Sequence, residues 1–558
     1  MAALALDLIA DFNAEPLARY LRHAQSALDL TVRVAPYGQV YQSLQSDAAA
    51  GWGGIIWTLP ERVLPGFARA MQFAESDWSQ CLAEVDHFAA AVRHAAGLRQ
   101  HLFVASWVLP PDYRGYGMLD WRPGIGLANL LAQMNLRLAE RLAGEGNIHL
   151  LDAGRWLYAA PRPHIPKLWY ATKVPYAGPV FEKAAGDIRA AILAVSGRAK
   201  KLIVLDLDHT LWGGVVGETG WEGIRLGGHD FVGEAFCDFQ RALLALAERG
   251  IQLAIASKND EAVALEAIDR HDAMILRRHH FAGWRIDWHD KAENIASLVA
   301  ELNFGLEAVV FIDDNPAERA RVQGALPEVL VPEWPADPTE YVQALWALDC
   351  FDVAALSQED RQRTAMYVAE RDRRATRKEV DSPEAWLQQL AMTLRVGRVD
   401  TSNLARVTQL FNKTNQLNLS TRRLGEKEVL AWALEPRHAL LALSVTDRFG
   451  DMGLVGVVGI SVNGTRGEVV DFILSCRAMG RRIEAVMLHL AMQEARRLGA
   501  QEIDVKYVPT ARNRPTLDVL RQIGLKEVTE HLFQASCQDV VPLPEAIQVV
   551  VDAPAGSP

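Results

Sequence analysis

Three apolar runs, KLIVLDLDHT (201–210), IQLAIASKND (251–260) and AVVFIDDNPAERARV (308–322), each end abruptly in polar or acidic residues. Within each run the apolar residues are continuous rather than alternating, the pattern of a strand buried on both faces. Parallel strands need crossover connections. FCDFQRALLALAERG (236–250) and HDKAENIASLVAELNFG (289–305) supply them, with helical spacing and terminal glycines. Such a segment is confined to a doubly wound, Rossmann-like α/β core, predicted over 199–349. Its polar residues fall at strand C-terminal ends, where these folds bind ligands.

The flanking blocks read differently. Over 1–190, GWGGIIWTL (51–59), HLFVASWVL (101–109) and NIHLLDAGRWL (147–157) each contain a buried-strand run, and LANLLAQMNLRLAERLAGEG (127–146) is a helix. Together they predict an α/β domain with a parallel sheet. Over 396–545, GLVGVVGISV and GEVVDFILSC meet at an Asn463-Gly464 turn. The amphipathic helix RRIEAVMLHLAMQEARRLGA (481–500) and the strand EIDVKYV (502–508) follow, an α+β pattern. The dense mixed charge of 350–395 predicts a solvated helical linker. The end, 546–558, finishing in DAPAGSP, is expected to be disordered.

Composition narrows the function. The 558 residues predict about three to five domains. A net charge of −11 excludes the broad basic field that nucleic acid or an anionic membrane needs. The five cysteines are scattered and form no C-x-x-C pair, so neither a disulfide framework nor a zinc ribbon is expected. The first residues lack a basic signal-peptide region, and no apolar run has bilayer length. A cytoplasmic protein is expected, with neither nucleic acid nor membrane as partner.

The chemistry gathers at the strand ends. In DLDHTLWGG (206–214), Asp206 can turn its carboxylate into a cleft. Asp208 can hydrogen-bond a leaving group or a water, and Thr210 can bond back to hold the turn. Ser257, with Lys258 and Asn259 beside it, offers a hydroxyl and backbone N–H groups to a phosphate oxygen. Lys291 opens a helix, so its ammonium and the helix terminus can face one anion. Asp313 and Asp314 end the third strand, and carboxylates meeting from two strand ends form a hard-oxygen site suited to Mg²⁺.

These four elements resemble the phosphotransferase branch of the haloacid dehalogenase superfamily. The resemblance implies Asp206 as the nucleophile and Asp208 as general acid and then base. It makes Ser257 and Lys291 phosphate holders, and sets Asp206, Asp208 (through its carbonyl), Asp313 and Asp314 around Mg²⁺. The wider match, from about 200 to 540, is to the FkbH-like family. It includes VPEWPADPTEYVQAL, FNKTNQLNLSTRR, TDRFGDMGLVGVV, SCRAMGRRIEA and YVPTARN. The sequence departs from that family at His209, where Asn is usual. Members are associated with dephosphorylating 1,3-bisphosphoglycerate, a small phosphorylated acyl donor, and passing the glyceryl group to an acyl carrier protein. Two rival readings are an N-acyltransferase acting on a nucleotide sugar, with an auxiliary phosphatase site, and a scaffold that binds phosphorylated partners without turnover.

The family resemblance also implies a flavodoxin- or SGNH-hydrolase-like domain at 1–190. There Ala10-Asp11-Phe12-Asn13 stands where the hydrolases have Gly-Asp-Ser, so a docking role is expected. At 396–545 it implies a GNAT-like acyltransferase domain. Arg477-Ala478-Met479-Gly480-Arg481-Arg482 resembles the turn that cradles the diphosphate of coenzyme A, except that Arg482 stands where a small residue is usual. Arg477 and Gly480 are the candidate phosphate contacts there, and the arginines would also suit a carrier's phosphopantetheine arm. Cys476 precedes the turn. Its setting favours a thiolate able to carry a glyceryl group, while a lone strand cysteine also reads as a small buried hydrophobe. Cys237, in a helical run, reads as core.

Overall fold

A doubly wound sheet opens the chain. In the computed structural model β1 (Leu4–Ala10), β2 (Leu30–Val34), β3 (Gly53–Trp57), β4 (His101–Ala105) and β5 (Ile148–Leu151) run parallel in the order β2-β1-β3-β4-β5. The structure describes all residues except 1–3, 23–27, 47–50, 75–76, 229, 355–357, 379, 381, 415, 476–477, 511–512, 524 and 553–558. Successive strand residues feed opposite layers. Leu8, Ile55, Trp57 and Phe103 pack with Phe181 and Ile188 of helix Gly178–Val195. Ile9, Ile56, Leu102 and Val104 pack with Phe88 and Val92 of helix Trp78–Gly97 and with Leu130 and Met134 of helix Leu127–Leu142.

The chain forms two compact units, Met1–Leu276 with Arg285–Arg361, and Arg277–Trp284 with Gln362–Pro558. The first unit also holds the core of the second sheet. There β6 (Leu202–Leu205) lies between β7 (Gln252–Ser257) and β9 (Val309–Ile312), all parallel, with β8 (Phe281–Ile286) between β7 and β9 in sequence. β6 and β9 are buried at every position, which explains their unbroken apolar runs.

Polar residues cap the helices that follow these strands. α1 (Phe231–Glu248) is capped by Asp230, α2 (Glu261–Arg270) by Asp260 and α3 (Lys291–Glu301) by Asp290. α4 (Pro316–Ala325) is capped by Asn315, with proline in its first turn. Each cap fixes where a strand-end loop stops, and so where the loop's side chains point.

The second unit is built on a nine-stranded sheet: β10 (Met392–Arg398), β11 (Leu417–Asn418), β12 (His438–Asp447), β13 (Gly450–Asn463), β14 (Arg466–Leu474), β15 (Glu502–Lys506), β16 (Lys526–Thr529), β17 (Leu532–Ser536) and β18 (Ile547–Val551). β12, β13 and β14 are antiparallel, whereas β14 and β15 are parallel. The crossover between that parallel pair carries the amphipathic helix expected at 481–500. The whole is a multidomain α/β protein, parallel in its first unit and α+β in its second.

Three expectations need correction. Residues 350–395 carry α5 (Gln358–Lys378) and α6 (Pro383–Leu390) but are not a solvated linker. Arg373 is 3% exposed and forms a two-pronged pair with Asp447, whose side chain is covered, at 2.6 and 2.8 Å. Trp386, Leu387 and Leu390 join the core of the sheet. That sheet also begins at Met392, ahead of the expected boundary at 396. The tail expected to be disordered over 546–558 contains β18, which extends the sheet parallel to β10, Ile547 opposite Met392; residues 553–558 lie outside the described residues. Among the described residues no helix is long and apolar enough to cross a membrane.

Candidate active site

Asp206 leaves the end of β6 with its backbone N–H still bonded to Ile312 of β9, at 3.0 Å, so the strand ends are locked together under the site. Its carboxylate is buried. Oδ1 lies 3.1 Å from Lys291 Nζ yet accepts no well-directed hydrogen bond. Lys291, the first residue of α3, is 3% exposed and donates to Asp313 Oδ2 at 2.6 Å. Burial works against its ammonium, but Asp206 and Asp313 outweigh that effect and hold it above its ordinary value.

Carboxylate oxygens of Asp206, Asp313 and Asp314 all lie within 4.8 Å of one another. Burial, followed by the Asp206 charge, pushes Asp313 up to about 6 against the pull of Lys291. The same two causes raise Asp314. Three carboxylates thus face one ammonium in a low-dielectric crevice. Their oxygen donors, their spacing and an Asp206 Oδ1 that accepts no well-directed hydrogen bond fit a hard divalent cation such as Mg²⁺.

The expected neighbours assemble with one exception. Asp208 Oδ1 accepts from Trp212 Nε1 at 2.8 Å and from Val216 N–H at 3.1 Å. Its Oδ2 accepts from Asn259 Nδ2 at 2.9 Å, and Asn259 also reaches Ser257 Oγ at 3.3 Å. Asn259 therefore links the first loop to the end of β7. Thr210, fully buried, accepts the Asp314 N–H at 3.2 Å and ties the first loop to the third. Lys258 is the exception, since its ammonium goes to Glu318 on α4 at 2.7 Å.

Three supporting residues escaped the sequence reading. Trp212 is fully buried and orients Asp208; an aromatic donor four residues beyond an acidic turn was the available signal. Arg319 on α4 donates to the backbone carbonyls of Asp313 and Asp314, at 2.9 and 2.7 Å. Tyr341 donates to the carbonyl of His209 at 3.0 Å. His209 itself has φ 55°, a left-handed conformation in which Asn, Asp and His are the enriched non-glycine residues.

In the second unit Cys476 and Arg477 lie outside the described residues. Gly480 takes φ 72°, and its N–H donates to Glu484 Oε1 at 2.8 Å. Arg481 donates to Glu370 and Arg482 to Glu384. At 1–190, Asp11 follows β1 and accepts the Leu59 N–H, and burial raises it to about 7. Asp152 accepts from Gly154, while His164 faces Asp112. The Cys237 thiol points at the Ala273 carbonyl inside a packed helix, and burial raises it.

No family model matches the chain, and no curated protein matches it. Among solved structures, the ribosomal-protein-S18-alanine N-acetyltransferase of Escherichia coli aligns at 11% identity and TM-score 0.20, covering 26% of this chain and 94% of that one. The GNAT domain of PAT from S. lividans aligns at 14% and 0.21, covering 25% and 89%. The N-terminal part of the protein BF1531 from Bacteroides fragilis, described as containing a phosphatase domain complexed with Mg, is 26% identical with a TM-score of 0.58. That match covers 64% of this chain and 95% of the other, and it extends the likeness well beyond a single sheet.

Proposed function

We propose that this chain is a Mg²⁺-dependent enzyme of haloacid dehalogenase type that removes the phosphomonoester of 1,3-bisphosphoglycerate and loads its glyceryl group on the thiol of an acyl carrier protein, the thiolate attacking the acyl carbon and the acyl phosphate leaving as inorganic phosphate. The buried Asp206–Lys291–Asp313 cluster carries the reading, because Asp206 Oδ1 is held beside an ammonium with no hydrogen bond to give up. The Bacteroides fragilis neighbour, with its phosphatase domain and Mg, supports the coarser part of it.

The residues divide the work as follows. Asp206 attacks the phosphorus of the phosphomonoester, and the bond from phosphorus to the leaving oxygen breaks. Asp208 gives that oxygen a proton, then takes one from the water that hydrolyses the aspartyl-phosphate. Lys291 and Ser257 hold the phosphoryl oxygens. Asp206, Asp313, Asp314 and the Asp208 carbonyl would hold Mg²⁺, which when bound neutralises phosphoryl charge that would repel a carboxylate nucleophile. Trp212, Val216 N–H and Asn259 orient Asp208 for both proton transfers.

The test is incubation with 1,3-bisphosphoglycerate and candidate carrier proteins, read by intact mass. A glyceryl adduct on the carrier is expected. Cys476→Ser should abolish loading and any enzyme-bound adduct but spare phosphatase activity, and Cys237→Ser should change neither. Wild-type loading by Cys476→Ser would leave direct transfer to the carrier thiol as the mechanism.

A further inference from the structure

The turn that opens α7 (Ile483–Arg497) has the parts of an anion trap: a helix N-terminus, a glycine N–H and consecutive arginines. Each described part is already matched by a carboxylate of the same unit. Glu484, 5% exposed, accepts the Gly480 N–H at 2.8 Å. Arg481, 3% exposed, donates to Glu370 of α5 at 2.5 Å and lies against the Met452 sulfur. Arg482 donates to Glu384 of α6 at 2.8 Å. Arg482 also occupies the N-cap position at φ 59°, where its side chain contributes no cap hydrogen bond.

We infer that this turn excludes the diphosphate of nucleotide-linked acyl donors such as coenzyme A thioesters, with Glu484 and Glu384 as the specificity-determining residues. An entering diphosphate must displace the Glu484 carboxylate from Gly480. That strands a buried charge without its donor, next to a second negative group. It must also compete with Glu370 and Glu384 for both arginines. The helices that pattern as a linker therefore supply two of the three carboxylates that close the turn. The inference rests on these contacts and not on the reaction proposed above.

The test is isothermal titration of the full-length protein with coenzyme A, in EDTA so that a metal-dependent phosphatase site stays silent. Wild type should bind with a Kd weaker than about 1 mM. A Glu484→Gln/Glu384→Gln double variant keeps side-chain shape while removing two negative charges. It should bind at least about tenfold tighter. Glu384→Gln alone, at an exposed pair and so free of any folding risk, should give a gain of about twofold. Pantetheine, which lacks the diphosphate, should gain nothing in either variant. Micromolar binding by the wild type, no gain in the double variant, or an equal gain for pantetheine would each overturn the inference.

Discussion

Two regions of this chain gather charge where strands end and helices begin, and they settle that charge in opposite ways. Beyond β6 and β9, three carboxylates share one buried ammonium. At the start of α7, the glycine N–H and both described arginines each meet a carboxylate of the chain itself. Local geometry is similar, so geometry alone does not decide which one is a site. Charge balance does. A buried cluster left with surplus negative charge destabilises the fold until something positive arrives. A balanced cluster is already part of the fold. Surplus charge marks where chemistry is to be sought, and balance marks where ligands are refused.

The sharpest way to break this contrast is Asp206→Asn. If the surplus serves catalysis, phosphate release from a generic phosphomonoester should fall by about 10⁴-fold or more, because a covalent nucleophile is lost. Thermal stability should hold or rise, since one of three crowded carboxylates has gone while Lys291 keeps its bond to Asp313. Near-normal turnover by the folded variant would reduce the cluster to architecture.

The balanced region predicts the reverse pattern for Arg373→Met. That change strands the covered Asp447 carboxylate without its guanidinium. Removing one member of a buried pair costs about 3–5 kcal/mol. Hydrogen exchange should show the loss in the sheet around β12 and leave β6, β7 and β9 protected, with phosphate release unchanged. A cost below about 1 kcal/mol is what an exposed pair would give, and it would restore α5 to a solvated linker.

The metal separates the two kinds of charge further. EDTA should abolish phosphate release and Mg²⁺ should restore it. Asp313→Ala should raise the Mg²⁺ requirement by more than about 10–100-fold, the scale for losing a residue that only supports a ligand. Lys291→Ala should chiefly weaken substrate binding, because it removes a phosphate contact. If Asp314→Ala has the larger metal effect, the order within the acidic pair is reversed while the contrast stands.

What the sequence showed plainly, and what it hid, follows from the range of the interactions. β6, β7 and β9 were legible because burial on both faces demands continuous apolar runs, and their terminal polar residues stand within the same ten letters. β1 lacks that unbroken run. Asp7 interrupts it, and the carboxylate is accommodated only because Arg33 and the buried Arg99 reach it from 26 and 92 residues away. Arg99 gets there by crossing Gly54, where an added Cβ would stand 3.1 Å from its Cδ. The docking of α5 was hidden for the same reason. Its mixed charges satisfy the rule for a solvated helix, and Asp447 lies 74 residues on. β18 resembled a frayed end until β10 supplied an edge. In the α7 turn, Glu484 was visible, but its role depends on backbone conformation at Gly480 and Arg482, which the letters do not encode.

The smallest effect expected is at His209, and it tests how far the active region extends beyond its buried carboxylates. His209 stands one residue from Asp208 and could be mistaken for a catalytic base. The structure gives it a different task. Its φ of 55° requires a residue that tolerates the left-handed region, and Asn does so at least as well as His. Its side chain is exposed, and its carbonyl, which any residue would provide, receives the Tyr341 hydroxyl. Its one described side-chain hydrogen bond, Nδ1 at 3.4 Å from the Gly214 N–H, is long, and its pull on Asp314 ranks behind burial and the Asp206 charge. His209→Asn should therefore leave phosphate release within about twofold and stability within about 0.5 kcal/mol. His209→Val, β-branched in a left-handed turn, should cost about 1–2 kcal/mol and loosen Asp208 with it. A large activity loss in His209→Asn, with stability kept, would make the imidazole part of the chemistry and move the boundary of the site outward to the surface.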